Sequence, residues 1–90
     1  MPAGMSPGIV TYRDHVQIDH DSGTPVWRQL ADILRGQIAS GEIGRGKLLP
    51  STRTLMQRYE VSDGTVKRAV AQLRAEGLVK TEPGRGVYVA

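Results

Sequence analysis

The side chains with the clearest chemical capacity lie in one run, Ser62-Asp63-Gly64-Thr65-Val66-Lys67-Arg68, and in one short loop, Pro83-Gly84-Arg85-Gly86. A serine ahead of an apolar-periodic stretch is a good helix cap. The helix end it caps presents free backbone N–H groups and the positive pole of the helix dipole, and both suit a phosphate. Lys67 and Arg68 fall one turn further in, away from the face made by Val66, Val70 and Leu73. Long cations on such a turn pair with guanine acceptors, hydroxyls bond several bases, and the Thr65 methyl can touch that of a thymine. In the loop, Gly84 and Gly86 let the backbone turn tightly and come close to a ligand, and Arg85 is the side chain at the tip able to enter a narrow groove. Alone, that loop reads equally well as a hairpin turn with a soluble apex. Its combination with a cationic helix turn is what points to a nucleic acid.

Other chemistry finds no support. The chain has no cysteine, so a disulfide framework, a thiolate metal site and a thiol nucleophile are all excluded. Its two histidines, His15 and His20, stand in an irregular leader, and no glycine-rich phosphate loop followed by Lys-Ser or Lys-Thr occurs. An enzyme is therefore not expected, nor any cofactor. Asp14, His15, Asp19, His20 and Asp21 form a loose cluster, but their spacing matches no metal motif and a solvated acidic leader explains them. No metal is expected. The apolar stretches are short and the amino terminus has no charged segment followed by a long apolar one, which predicts no membrane span, no signal peptide and a cytoplasmic, nucleoid-associated protein.

Charge is unevenly placed. Residues 1–24 hold Arg13 against Asp14, Asp19 and Asp21, a balance of −2. Residues 25–90 hold eleven Lys and Arg against six Asp and Glu, a balance of +5, and the two give the net +3 of the chain. The second part is thus the one suited to a polyanion.

Several elements must position these residues. Residues 1–8 are rich in Pro, Gly and Ser and predict a flexible tail, and Val16 and Ile18 suit one short strand within residues 9–18. Residues 1–24 are read as a flexible acidic leader and residues 25–90 as one domain. Thr24-Pro25 predicts a helix start, with Thr24 as cap and Pro25 at the first helical position. Val26, Trp27, Leu30, Ile33, Leu34 and Ile38 then share one helical face, and that helix ends near Ser40-Gly41. Leu48-Leu49 suits a short strand before Pro50. Ser51 caps a second helix with Leu55, Met56 and Tyr59 inward, and Trp27 and Tyr59 read as core residues, not base-stacking ones. After Glu60-Val61, either Ser62 or Asp63 can cap a third helix, capping being the expected role of Asp63, and Gly77 closes it in a left-handed conformation. Leu78 to Glu82 and Val87 to Val89 form a hairpin. The fold class is mainly α with a small β-hairpin: a winged helix-turn-helix of three helices and a two-stranded wing.

These residues resemble the amino-terminal domain of the GntR family of bacterial regulators over residues 25–90. The resemblance rests on Pro25-Val26-Trp27-Arg28-Gln29-Leu30, Ile38-Ala39-Ser40-Gly41-Glu42-Ile43, Leu49-Pro50-Ser51-x-Arg53-x-Leu55, Val61-Ser62-x-x-Thr65-Val66-Lys67 and Leu73-Arg74-Ala75-Glu76-Gly77-Leu78-Val79, in that order, completed by Gly84-Arg85-Gly86 and Val87-Tyr88-Val89-Ala90. It implies that the third helix enters the major groove and the wing tip approaches the minor groove of duplex DNA. It further implies that Arg53 holds a phosphate or a guanine, that Ser62, Thr65 and Lys67 line the DNA-facing start of the third helix, and that Gly84 and Arg85 sit at the wing tip. Ser51, Gly64 and Arg68 complete the expected DNA-contacting set. Two copies on an inverted-repeat operator, with repression by occupancy, are the family's implication.

Departures from the family pattern are Asp63-Gly64 where a basic residue is frequent, Leu48 where Arg is frequent, and Thr52 and Thr54 in place of acidic residues. They imply one phosphate contact fewer, and either a lower affinity or a different base preference. Family members usually continue past this point into a ligand-binding, oligomerising domain, and no small-molecule effector site is visible in these 90 residues. A winged helix can also serve as a protein-interaction module, or bind DNA in plasmid maintenance or replication.

Overall fold

The computed structural model describes residues 18–90. The short strand expected within residues 9–18, and Asp14 and His15 of the leader cluster, therefore lie outside the described residues, apart from Ile18. Among the described residues no group of His, Asp and Glu is placed to hold a metal, and no helix is long and apolar enough to cross a membrane.

The three apolar-periodic segments become helices α1 (Val26–Ala39), α2 (Thr52–Tyr59) and α3 (Asp63–Ala75), followed by strands β1 (Val79–Glu82) and β2 (Gly86–Val89). Leu30, Ala31 and Leu34 of α1 meet Leu55 and Tyr59 of α2 and Val66, Ala69, Val70 and Leu73 of α3, and Leu49, Val79 and Val89 close the core from the strand side. Leu30, Leu34, Val66 and Leu73 are fully buried, so truncating any of the leucines costs about 2–5 kcal/mol. α3 packs on both other helices and on β1, which makes its inward face the centre of the fold and leaves its outward face free for solvent.

The helix ends follow local chemistry. Ser51 and Ser62 each sit in extended backbone and each accept from the backbone N–H three residues on, Thr54 and Thr65, at 3.1 Å. The cap of α1 differs from the expectation. Pro25 itself is the capping residue, no side chain caps that end, and Thr24 instead offers its carbonyl to Gln29. The Pro25 carbonyl accepts from the Arg28 and Gln29 N–H groups, and the Gln29 side chain also pairs with both the N–H and the carbonyl of Asp19. That amide holds residues 18–24 along α1, and Ile18 packs half-buried against the core.

α3 ends as expected. Gly77 takes φ +79°, its N–H bonds the Arg74 carbonyl, and the Leu78 N–H bonds that of Leu73. α2 ends without a glycine: Glu60 holds the left-handed conformation, φ 56° and ψ 51°, that turns the chain towards α3.

β1 and β2 pair antiparallel in the register Val79 with Val89 and Glu82 with Gly86. Gly86 thus begins β2, and the connecting loop is Pro83-Gly84-Arg85, one residue shorter than the sequence suggested. Pro83 and Gly84 (φ +78°) occupy the corner positions of a turn closed by the Arg85 N–H on the Glu82 carbonyl at 3.0 Å. The segment before α2 adds to the other edge of β2. The Leu49 N–H bonds the Val87 carbonyl and the Val89 N–H bonds the Lys47 carbonyl. The expected Leu48-Leu49 strand is reduced to a single bridge, Leu48 with Tyr88, because Pro50 has no N–H with which to extend the ladder.

One long-range polar tie fixes α1 to the end of α3. The Arg35 guanidinium donates to both carboxylate oxygens of Glu76, at 2.8 and 2.7 Å, and to Asp32, while Gln72 donates to Glu76 as well. These bonds hold the Glu76 carboxyl down at about 2, against an ordinary 4.5, and raise the Arg35 guanidinium further.

Candidate nucleic-acid interface

Three surface groups carry the expected contact residues. At the start of α2, Ser51 gives its hydroxyl proton to Thr54 Oγ1 at 2.9 Å, and Arg53, the second residue of the helix, is exposed. At the start of α3 the same pattern recurs, with Ser62 donating to Thr65 Oγ1 at 3.0 Å. Both hydroxyl pairs are therefore self-oriented. As at every helix start, the first N–H groups, here those of Asp63 and Gly64, point out of the helix end, beside the exposed Ser62 and Gly64. A Cβ at Gly64 would meet nothing within 4 Å, so the chain's own packing does not require glycine there.

Lys67 projects into solvent and pairs with Asp63 one turn back, Nζ to Oδ2 at 3.0 Å. This corrects the role expected of Asp63. Ser62 is the cap, and Asp63, already helical, serves as the partner of Lys67 and as a negative charge on the positive pole of the helix. Arg68 is exposed but directed at α1, where its guanidinium lies over the Trp27 ring, 4.7 Å from the centroid. Trp27 accordingly is not a core residue. It is half-buried, and it sits in the first turn of α1, beyond the buried stripe that begins at Leu30. Tyr59, by contrast, is buried as expected.

The wing tip forms the third group. Arg85 is folded back across its own hairpin: it donates to Glu82 at 3.1 Å and to the Gly46 carbonyl at 3.0 Å, and its guanidinium covers the Tyr88 ring at 4.6 Å. Leu48 lies beside the tip, within 3.8 Å of where a Gly86 Cβ would stand, and at 50% exposure it is the one large hydrophobic residue exposed among those described.

Sequence reasoning did not anticipate the partners of these cations. The Asp63–Lys67 pair was readable from its four-residue spacing, and Glu82 to Arg85 spans one tight turn. The Arg68–Trp27 stack and the Gly46 carbonyl under Arg85 join positions 41 and 39 residues apart and carry no local signal.

A capped helix with an exposed cationic turn, preceded by a shorter helix through a tight left-handed corner and followed by a hairpin with an arginine tip, defines a winged helix-turn-helix domain. The family model described as bacterial regulatory proteins, gntR family, matches residues 27–89, and the chain belongs to that family.

Among curated relatives, the mannosyl-D-glycerate transport/metabolism system repressor MngR of Escherichia coli is 40% identical over 65 residues, covering 72% of this chain and 27% of the relative. The transcriptional repressor YtrA of Bacillus subtilis is 33% identical over 75 residues, covering 83% and 58%. The chain spans 16%, 24% and 27% of three relatives at 40 to 45% identity, so it corresponds to a minor part of their length. Among solved structures, YtrA from Sulfolobus acidocaldarius, a GntR-family transcription factor, superposes with a TM-score of 0.75 at 36% identity, over 82% of this chain and 78% of that one. The DNA-binding domain of AraR in complex with operator ORX1 superposes with a TM-score of 0.72 at 30% identity, over 74% and 81%.

Proposed function

We propose that residues 25–90 are the DNA-reading domain of a transcription regulator that acts as a repressor, two copies occupying an inverted-repeat operator in the cytoplasm, without catalytic activity. The observation that carries this reading is the start of α3: Ser62 caps it, Thr65 is oriented by that cap, and Lys67 projects from the next turn into solvent. The solved AraR domain of the same fold is complexed with operator DNA, and several relatives are named repressors, which supports the same assignment.

In this reading the first turn of α3 enters the major groove. The Asp63 and Gly64 N–H groups and Ser62 meet a phosphate, and Thr65 and Lys67 meet base edges. Ser51 and Arg53 hold the backbone from the start of α2. Gly84 and Arg85 reach the minor groove from the wing, Arg85 leaving Glu82 and the Gly46 carbonyl to do so. Arg68 supports α3 against Trp27 and approaches the flanking phosphate.

Selection from a randomised duplex pool, followed by gel shift of the recovered sequence, tests the proposal. It predicts a recovered sequence with two-fold symmetry, weaker binding by Arg85→Ala and by Lys67→Ala, and relaxed base preference in the Lys67 variant alone. A chain that retards no duplex at low salt would overturn the DNA reading and leave protein interaction as the function of the fold.

A further inference from the structure

We infer that Asp63 and Glu82 set the specificity of this domain by neutralising its two reading cations whenever no operator is bound. The inference rests on the DNA-binding reading above. Its basis is a coincidence between two separate elements: the projecting cation of α3, Lys67, lies 3.0 Å from Asp63, and the cation of the wing tip, Arg85, lies 3.1 Å from Glu82. Each carboxylate belongs to the same helix turn or hairpin turn as its partner, so it travels with the cation to the DNA surface. All four side chains are about half exposed or more, and ion pairs so exposed are weak enough to exchange for a better acceptor.

Random DNA and the operator meet these pairs differently. A phosphate approaching Lys67 or Arg85 meets a near-neutral pair, and the carboxylate repels it, so the sequence-independent attraction that dominates non-specific binding is reduced at both elements. At the correct site the cation instead gains base-edge acceptors in fixed geometry, which a scattered phosphate does not offer; the Asp63 carboxylate is left free at the major-groove mouth or accepts from a cytosine amino group, and that of Glu82 is left free beside the minor groove or accepts from a guanine amino group. The pairs therefore penalise random DNA more than the operator, which is discrimination by a built-in repulsive element. Arg68 differs in kind: its partner is the neutral Trp27 ring, which leaves its charge undiminished, and it falls outside this scheme.

The test uses Asp63→Asn and Glu82→Gln, which keep shape and remove charge, measured by fluorescence anisotropy against the selected duplex and a scrambled one over a salt series. Each variant is expected to tighten binding to scrambled DNA by about threefold to tenfold and to change binding to the selected duplex by less, so that the ratio between them falls. The salt slope on scrambled DNA is expected to steepen by roughly 0.9 per variant, the signature of one phosphate gained. A merely structural role moves neither the ratio nor the slope. Because the two substitutions sit on different elements, a folding defect in one leaves the other as a complete test. Equal gains on both duplexes, or an unchanged slope, would overturn the inference. If the unsubstituted chain prefers no duplex, it is the DNA reading that fails; if it prefers one and neither variant alters the ratio, this inference alone fails.

Discussion

Gly64→Ala separates what the fold needs from what the interface needs. Gly64 is the second residue of α3, its backbone is helical, and a Cβ built there meets no atom within 4 Å. Glycine in a helix is less favourable than alanine by about 0.5–1 kcal/mol, chiefly because the unfolded chain has more freedom to lose. At the helix edge the lower figure applies, so the variant is expected to gain about 0.5 kcal/mol, or about 2–4 °C in midpoint for a domain of this size. Gly36 supplies the control. It lies inside α1, exposed and with nothing within 4 Å of its Cβ, so Gly36→Ala is expected to gain about 1 kcal/mol, or about 4–8 °C. Thermal unfolding followed by circular dichroism reads both. If Gly64 lets the α3 backbone lie against DNA, its added methyl weakens binding to the selected duplex while stabilising the chain, whereas Gly36→Ala stabilises without weakening. A Gly64 variant that melts below the unsubstituted chain refutes the packing argument, and one that melts higher but binds as before refutes the close approach.

Other substitutions test the frame. Glu76 titrates near 2 when folded against 4.5 unpaired, so its contribution is complete above about pH 4.5 and is lost as pH falls towards 2; Glu76→Gln is expected to flatten the stability profile in that window, measured by urea unfolding. Glu60→Gly removes a side chain from left-handed backbone, a conformation costing about 1–2 kcal/mol, and after the entropy of glycine is set against it a rise of a few degrees in the melting temperature is expected. Leu48→Arg places a cation beside the wing tip and is expected to tighten binding to any duplex, with a salt slope steeper by about 0.9.

What could be read in the sequence was what local chemistry decides. Ser51 and Ser62 as caps, Gly77 as the left-handed stop of α3, the inward faces of α2 and α3 and the glycine-bearing wing all follow from short-range patterns, and each is present. Trp27 misled because an apolar residue in register with a helical stripe reads as core, although the stripe begins to be covered only at Leu30 and the ring is capped by Arg68 from another helix. Thr24 misled because a proline after a capping residue is a good start signal, whereas Gln29 takes the Thr24 carbonyl and ties residues 19–24 to α1. Asp63 misled because an aspartate next to a capping serine can cap as well, whereas the helix already starts at Asp63 and Ser62 alone caps it. The Arg35–Glu76 tie and the seat of Arg85 on Gly46 depend on how distant segments pack, which no local spacing encodes.

A nitrogen-15 NMR titration of the chain with its selected duplex reads directly whether the start of α3 and the wing meet DNA. The amide signals of Ser62 to Arg68 and of Gly84 to Gly86 are expected to move most, those of Ser51 to Arg53 to follow, and that of Gly36 on α1 to stay in place. Shifts confined to α1, or none at saturating duplex, would contradict the DNA-reading role of α3 and the wing.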